Sequence, residues 1–259
     1  MPRRNNFLFI LPKKNLLDYG SCVLREVAES NSYGNRIIFL EGDDANPSRI
    51  RSVIESEDPI LVVGVGHGSR CAYTVEDMLP FLMVRSPKDN CPFNLNLGIC
   101  AGRVWVLNSC DVGEWLGREM VTRGAAAFIG EEDPFIFVIV DEPCASHDVK
   151  SVFYAEYKSV EYLMRGYSVA ESFYARQDAY EDEIRYYLTG PGSTSRYADI
   201  IIRTLEVDKN IGVVYGDSMA RVSSRLIPYY SPITRFGFGL VTTALSIAVV
   251  LGSILKRRK

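Results

Sequence analysis

His67 and Cys110 are the two side chains of this 259-residue chain whose surroundings best suit covalent chemistry. Each follows an apolar run. Leu61-Val62-Val63-Gly64-Val65-Gly66 leads into His67-Gly68-Ser69, and Val104-Trp105-Val106-Leu107-Asn108-Ser109 leads into Cys110. A short apolar run closed by glycine or polar residues reads as a fully buried strand of an α/β sheet. Open α/β sheets gather their active sites at the carboxyl ends of the strands. An imidazole and a thiol, 43 positions apart, are therefore expected at one sheet edge as a Cys-His dyad. A cysteine nucleophile needs a base to manage its proton and donors for the developing oxyanion. His67 can take and return the proton. Gly68 has no side chain, so its N–H can face a carbonyl oxygen closely. Ser69 can orient the imidazole or a substrate. Gly113, then Trp115, Leu116, Met120 and Val121 at helical spacing, predict a helix just after Cys110, whose dipole would lower the thiol pKa.

Cysteine is often only a small core hydrophobe, but Asn108, Ser109 and Asp111 make an apolar core site a poor description here. The other histidine lies in Cys144-Ala145-Ser146-His147-Asp148 and lacks partners at zinc-site spacing. It reads as a loop residue on the rim of the cleft, and no metal or cofactor is expected.

The elements that must carry these residues are strands at Phe7–Leu11, Arg36–Leu40, Ile60–Val65, Val104–Asn108, Ala125–Ile129 and Ile211–Tyr215. Helical patterns fall at Leu16–Ser30, Pro47–Ser56 and Gly113–Arg123, then as a long pair from Val152 to Leu188. Asn46 is a plausible N-cap with Pro47 at the first helical position, and Ser168 restarts the second helix of the pair after Gly166. Cys71–Gly102 and Gly130–Val149 read as loops that shape a cleft. The alternation predicts an α/β domain over residues 1–225 with a mostly parallel sheet of about six strands.

Net charge is −3 and no basic block interrupts the body, which speaks against a nucleic-acid partner. Six cysteines without a CxxC pair or regular spacing do not suggest a disulfide framework, so free thiols and a reducing compartment are expected. After a linker at 226–235, residues 236–255 (FGFGLVTTALSIAVVLGSIL) carry no charge and precede Lys256-Arg257-Arg258-Lys259. Twenty apolar residues span about 30 Å, the thickness of a bilayer core, so a single-pass C-terminal membrane anchor is expected. The apolar run Phe7–Leu11 is too short for a signal peptide, which favours a domain on the cytoplasmic side. The terminal basic cluster argues for the opposite orientation.

The ordered set of motifs resembles the caspase-like cysteine peptidases, and among them most closely the gingipain family. Val65-Gly66-His67-Gly68-Ser69 is similar to that family's histidine segment, and Asn108-Ser109-Cys110-Asp111 with Gly113 to its cysteine segment. Arg123–Gly130, Phe153–Glu171 and Gly216-Asp217-Ser218 resemble the strand, the helix and the terminal motif that follow, with Ser218 in place of a proline. The likeness covers about residues 35–222. It implies a caspase-like three-layer α/β sandwich and cysteine endopeptidase activity. Cys110 would be the nucleophile, His67 the general base and acid, and the N–H groups of Gly68 and Cys110 the oxyanion donors. Relatives prefer a charged residue before the scissile bond. Asp43, Asp44, Asp111 and the run Glu131-Glu132-Asp133 are the acidic residues placed to meet a basic one. The partner would then be a protein or peptide substrate. An inactive caspase-like interaction module and a different cysteine-dependent acyl transferase are the competing readings.

Overall fold

In chain order, β1 (Asn6–Leu11), α1 (Leu17–Ser30), β2 (Arg36–Glu41), α2 (Pro47–Glu57) and β3 (Leu61–Val65) alternate strand and helix. A small antiparallel ribbon follows, made of β4 (His67–Ser69), β5 (Ala72–Thr74) and β6 (Pro80–Met83). The chain returns through β7 (Val104–Asn108), α3 (Leu116–Thr122) and β8 (Ala127–Glu131). It ends with α4 (His147–Glu156), α5 (Lys158–Met164), α6 (Val169–Thr189), α7 (Ala198–Ile211) and β9 (Gly212–Gly216). This computed structural model describes residues 5–222.

The main sheet has the order β2-β1-β3-β7-β8-β9, parallel except for β9, which runs antiparallel to β8. Its central strands are buried on both faces, as their unbroken apolar sequences require. Residues alternate between two cores. Leu8, Ile10, Val62, Trp105 and Leu107 pack under α2, α3 and the ribbon. Phe7, Phe9, Val63, Val106 and Ile129 pack under α1, α4 and α5. The result is helix layers on both sides of one sheet, with a smaller core among α4, α6 and α7.

Several expected local signals are present. Asn46 Oδ1 accepts the Arg49 N–H at 3.0 Å with Pro47 just inside the helix. Ser168 and Glu171 form a reciprocal capping box at the start of α6. Two expectations change. The segment Cys71–Gly102 is not all loop, because it contains β5 and β6, each too short for alternation to register. Helix α7 precedes β9 and buries Ile201, Leu205 and Ile211 at helical spacing, a pattern visible in the sequence and not anticipated. The expected linker 226–235, the expected membrane anchor 236–255 and the basic residues 256–259 lie outside the described residues. No helix among the described residues is long and apolar enough to cross a membrane.

The cysteine expectation is overturned. Cys22 in α1 pairs with Cys144, and Cys71 in the ribbon pairs with Cys91, leaving Cys100 and Cys110 free. Spacing gave no hint because the partners lie 122 and 20 residues apart and meet only through the fold. Thiol titration without reductant is expected to find one fast thiol in the native protein and two after denaturation. Six under those denaturing conditions would mean that neither bridge forms.

Candidate active site

Strands β3 and β7 are neighbours in register, with Val65 opposite Asn108 and the Gly66 N–H donating to the Asn108 carbonyl at 3.2 Å. His67 and Cys110 each lie two residues beyond that register pair. Parallel neighbours are about 4.8 Å apart, so the chain leaves the two strands side by side, into β4 at His67 and into a turn at Cys110. Gly68 confirms the closeness of the two backbones. A Cβ at Gly68 would lie 2.1 Å from the Cys110 carbonyl oxygen and 2.5 Å from Ser109 Oγ. Glycine is therefore needed here for close approach to the cysteine turn, a second reason beside a freely accessible N–H.

The turn after β7 aims the thiol. Asp111 takes a left-handed conformation (φ 61°) and bends the chain away from the strand line. On either side of Cys110, the Ser109 N–H donates to Glu131 Oε2 at 3.1 Å and the Asp111 N–H to the Asp133 carbonyl at 3.4 Å. The Cys110 N–H itself makes no backbone hydrogen bond among the described residues. The thiol is half-buried, and Sγ donates to the Phe135 carbonyl across 3.8 Å.

Burial pushes the Cys110 thiol up, the backbone at Phe135 opposes this, and Asp111 and Glu131 add to the rise. The expected lowering by a helix N-terminus is absent, because α3 begins only at Leu116, six residues on. Burial also lowers the His67 imidazole. Both directions favour neutral partners, so the resting pair is thiol and imidazole instead of thiolate and imidazolium. His67 Nε2 is enclosed and has no hydrogen-bond partner among the described residues, leaving it available to a proton brought by a substrate complex.

The remaining expected site residues divide. Ser69 Oγ lies 3.8 Å from Cys71 Sγ and faces the disulfide, not the imidazole. Asp111 is partly buried beside the thiol. Burial, Glu114 and Asp133 raise its carboxyl against the pull of Arg70, which itself pairs with Glu114. Asp43 and Asp44 are exposed after β2, three strands from β7 in the sheet order, or roughly 14 Å at the usual strand spacing. Asp43 accepts from Lys14 Nζ at 3.2 Å, and Lys14 is shared with Asp77 and Glu76. Glu131 is fully buried, Glu132 pairs with Arg118 at 2.9 Å, and only Asp133 of that run is exposed. His147 is not a loop residue. It begins α4 and bonds Glu183 of α6 at 2.8 Å, which raises its imidazole against the effect of burial.

Sequence reading missed the polar residues behind the site. Tyr157 Oη donates to Asn108 Oδ1 at 3.0 Å and fixes the end of β7. Glu156 and Arg176 pair out of contact with solvent at 2.6 Å. A charged residue on an otherwise apolar helix stripe was the one available signal, and Glu156 and Arg176 both carry it. No protein-family model matches the chain, and a search of curated proteins finds no match either.

Proposed function

We propose that the protein is a caspase-like cysteine endopeptidase in which Cys110 attacks a peptide carbonyl and His67 handles the proton. The supporting observation is that β3 and β7 are parallel neighbours whose register ends at Val65 and Asn108, two residues before a histidine and the one solvent-reaching free thiol, with the Gly68 backbone against the cysteine turn. A neutral thiol loses its proton to His67 as Sγ bonds to the carbonyl carbon. The oxyanion that develops meets the Cys110 N–H, with Gly68 beside it. Collapse of the tetrahedral intermediate sends the proton from His67 to the leaving amine, and water repeats the sequence to release the acid. Asp111, Glu114 and Asp133 make the thiol side of the cleft acidic and favour a basic side chain in the substrate.

Fluorogenic Arg-, Lys- and neutral-residue peptides test the reading. Wild type should prefer the basic peptides. Cys110→Ala should lose roughly 10⁴-fold or more in kcat, and His67→Ala about 10²–10⁴-fold. Equal silence of wild type and Cys110→Ala across a broad peptide library would sink it.

The raised thiol and the unpaired imidazole also suit a second reading, an interaction module that keeps the fold without turnover. An activated thiol should be alkylated at neutral pH far faster than a buried structural one, and a sluggish Cys110 would favour the module. Residues 236–255 would tether the domain to a membrane. Two disulfides form most readily in an oxidising compartment. With the basic tail at 256–259, they support the domain on the non-cytoplasmic face, against the cytoplasmic placement expected above.

A further inference from the structure

The thiol sits between two walls, and a carboxylate anchors each. One wall is the turn that carries Cys110. Glu131 on β8 holds it twice: Oε2 accepts the Ser109 N–H at 3.1 Å, and its carbonyl accepts the Gly113 N–H at 2.6 Å. The other wall is the strap Phe135-Ile136, whose first carbonyl receives the thiol at 3.8 Å. The next amide, Ile136 N–H, donates to Asp208 Oδ1 of α7 at 3.1 Å.

Glu131 and Asp208 border one buried cluster. Glu156 of α4 accepts from Arg176 Nε at 2.7 Å and from Tyr180 Oη at 2.9 Å, both on α6. Arg176 Nη2 also donates to the Asp208 carbonyl at 3.2 Å. Glu131, Glu156, Arg176 and Asp208 are each at most 1% exposed. Three carboxylates thus surround one guanidinium, and buried carboxylates without a matching cation hold their protons. Burial pushes Asp208 to about 8 and Glu131 well above its ordinary value, with Glu156 adding to both and Arg176 opposing. Asp208 Oδ2 and Glu131 Oε1 have no hydrogen-bond partner among the described residues, which leaves each an oxygen for the proton. A protonated carboxyl still accepts through its other oxygen, the one facing Ser109 or Ile136.

We propose that Glu131 and Asp208 are positioning residues for Cys110, acting through the hydrogen bonds they accept from Ser109 and Ile136 and not through charge. The inference rests on Cys110 being the reactive group of the proposed site, but not on peptide hydrolysis. Its test therefore reads the thiol. The full chain is alkylated with iodoacetamide from pH 5.5 to 9.5, with Cys110 and Cys100 followed separately by mass spectrometry. The charged groups bearing on the thiol are Asp111 and Glu131, with His67 two residues beyond the β3 end of the neighbouring register, and of these only Glu131 is changed by the variants.

Glu131→Gln and Asp208→Asn keep an acceptor without charge and should react within about threefold of wild type. Glu131→Met and Asp208→Leu remove it and should slow Cys110 by about tenfold or more at neutral pH. If the apolar variants do not fold, Ile136→Pro deletes the same N–H from an exposed position and should behave like Asp208→Leu. An unchanged Cys100 rate separates loss of positioning from global opening. Wild-type rates in the apolar and Ile136→Pro proteins would overturn the proposal, as would equal losses in the amide and apolar variants. A wild-type Cys110 no faster than Cys100 would instead defeat the reactive-thiol reading on which the proposal stands.

Discussion

Arg176→Met is expected to lower the unfolding free energy by about 3–5 kcal/mol, the cost of removing one partner from a buried ion pair. Arg176 is wholly buried, and Glu156 beside it is 1% exposed. Methionine fills similar volume, so little of the loss should come from a cavity. The loss comes from Glu156, left facing Glu131 and Asp208 without a cation. The effect is large against the usual 5–15 kcal/mol of a folded domain, and urea denaturation should detect it directly. The double variant Glu156→Gln/Arg176→Met separates causes. Replacing both members often costs little, so the double variant should be more stable than Arg176→Met alone. A loss below about 1 kcal/mol in the single variant would show that the cluster is better solvated than its burial suggests.

The same cluster sets a pH dependence with a definite sign. Asp208 moves from an ordinary 3.8 to about 8 in the folded protein, so between those values the native state binds a proton that the unfolded chain releases. Its contribution is fully present below about pH 4 and is lost as pH rises towards 8, at up to about 1.4 kcal/mol per pH unit. Asp208→Asn should flatten that part of the stability profile.

What could be read from the chain, and what could not, divides along a physical line. Leu61–Val65 and Val104–Asn108 are continuous apolar runs because both faces of their strands are covered, and that pattern is local. Once both were strands of one sheet, His67 and Cys110 followed. Cys22 and Cys144 meet only because α1 and the segment before α4 lie on the same face of the sheet, and nothing near either residue signals it. Glu131 shows a similar limit. In the run Glu131-Glu132-Asp133 it reads as a solvated loop carboxylate. It is in fact the last residue of β8, where the sheet continues two positions beyond the expected end at Ile129 and the side chain is buried. The lowered thiol pKa expected of Cys110 failed for a related reason. It assumed that a helix starts at the turn, whereas Asp111 and the following residues spend a further loop before α3.

Gly68→Ala should inactivate the proposed site without touching either member of the proposed dyad. The added methyl group would sit 2.1 Å from the Cys110 carbonyl oxygen, 2.5 Å from Ser109 Oγ and 2.8 Å from Val112 Cγ1. Ser109 can rotate away, but the Cys110 oxygen is backbone and cannot. Relief must come from separating β4 from the cysteine turn by about an ångström, which moves His67 and Cys110 apart. Such a misplacement costs on the order of 10²-fold in rate, while overpacking of this kind costs about 1–3 kcal/mol in stability. The rate should therefore suffer more than the fold. Gly98→Ala is the matched control, since a Cβ there meets nothing within 4 Å. Peptide hydrolysis and Cys110 alkylation, each measured beside a thermal melt, should fall together in Gly68→Ala and stay at wild-type values in Gly98→Ala. Normal alkylation and hydrolysis in a folded Gly68→Ala protein would mean that the strand and the turn are not locked together, and the register argument for the dyad would lose its main support.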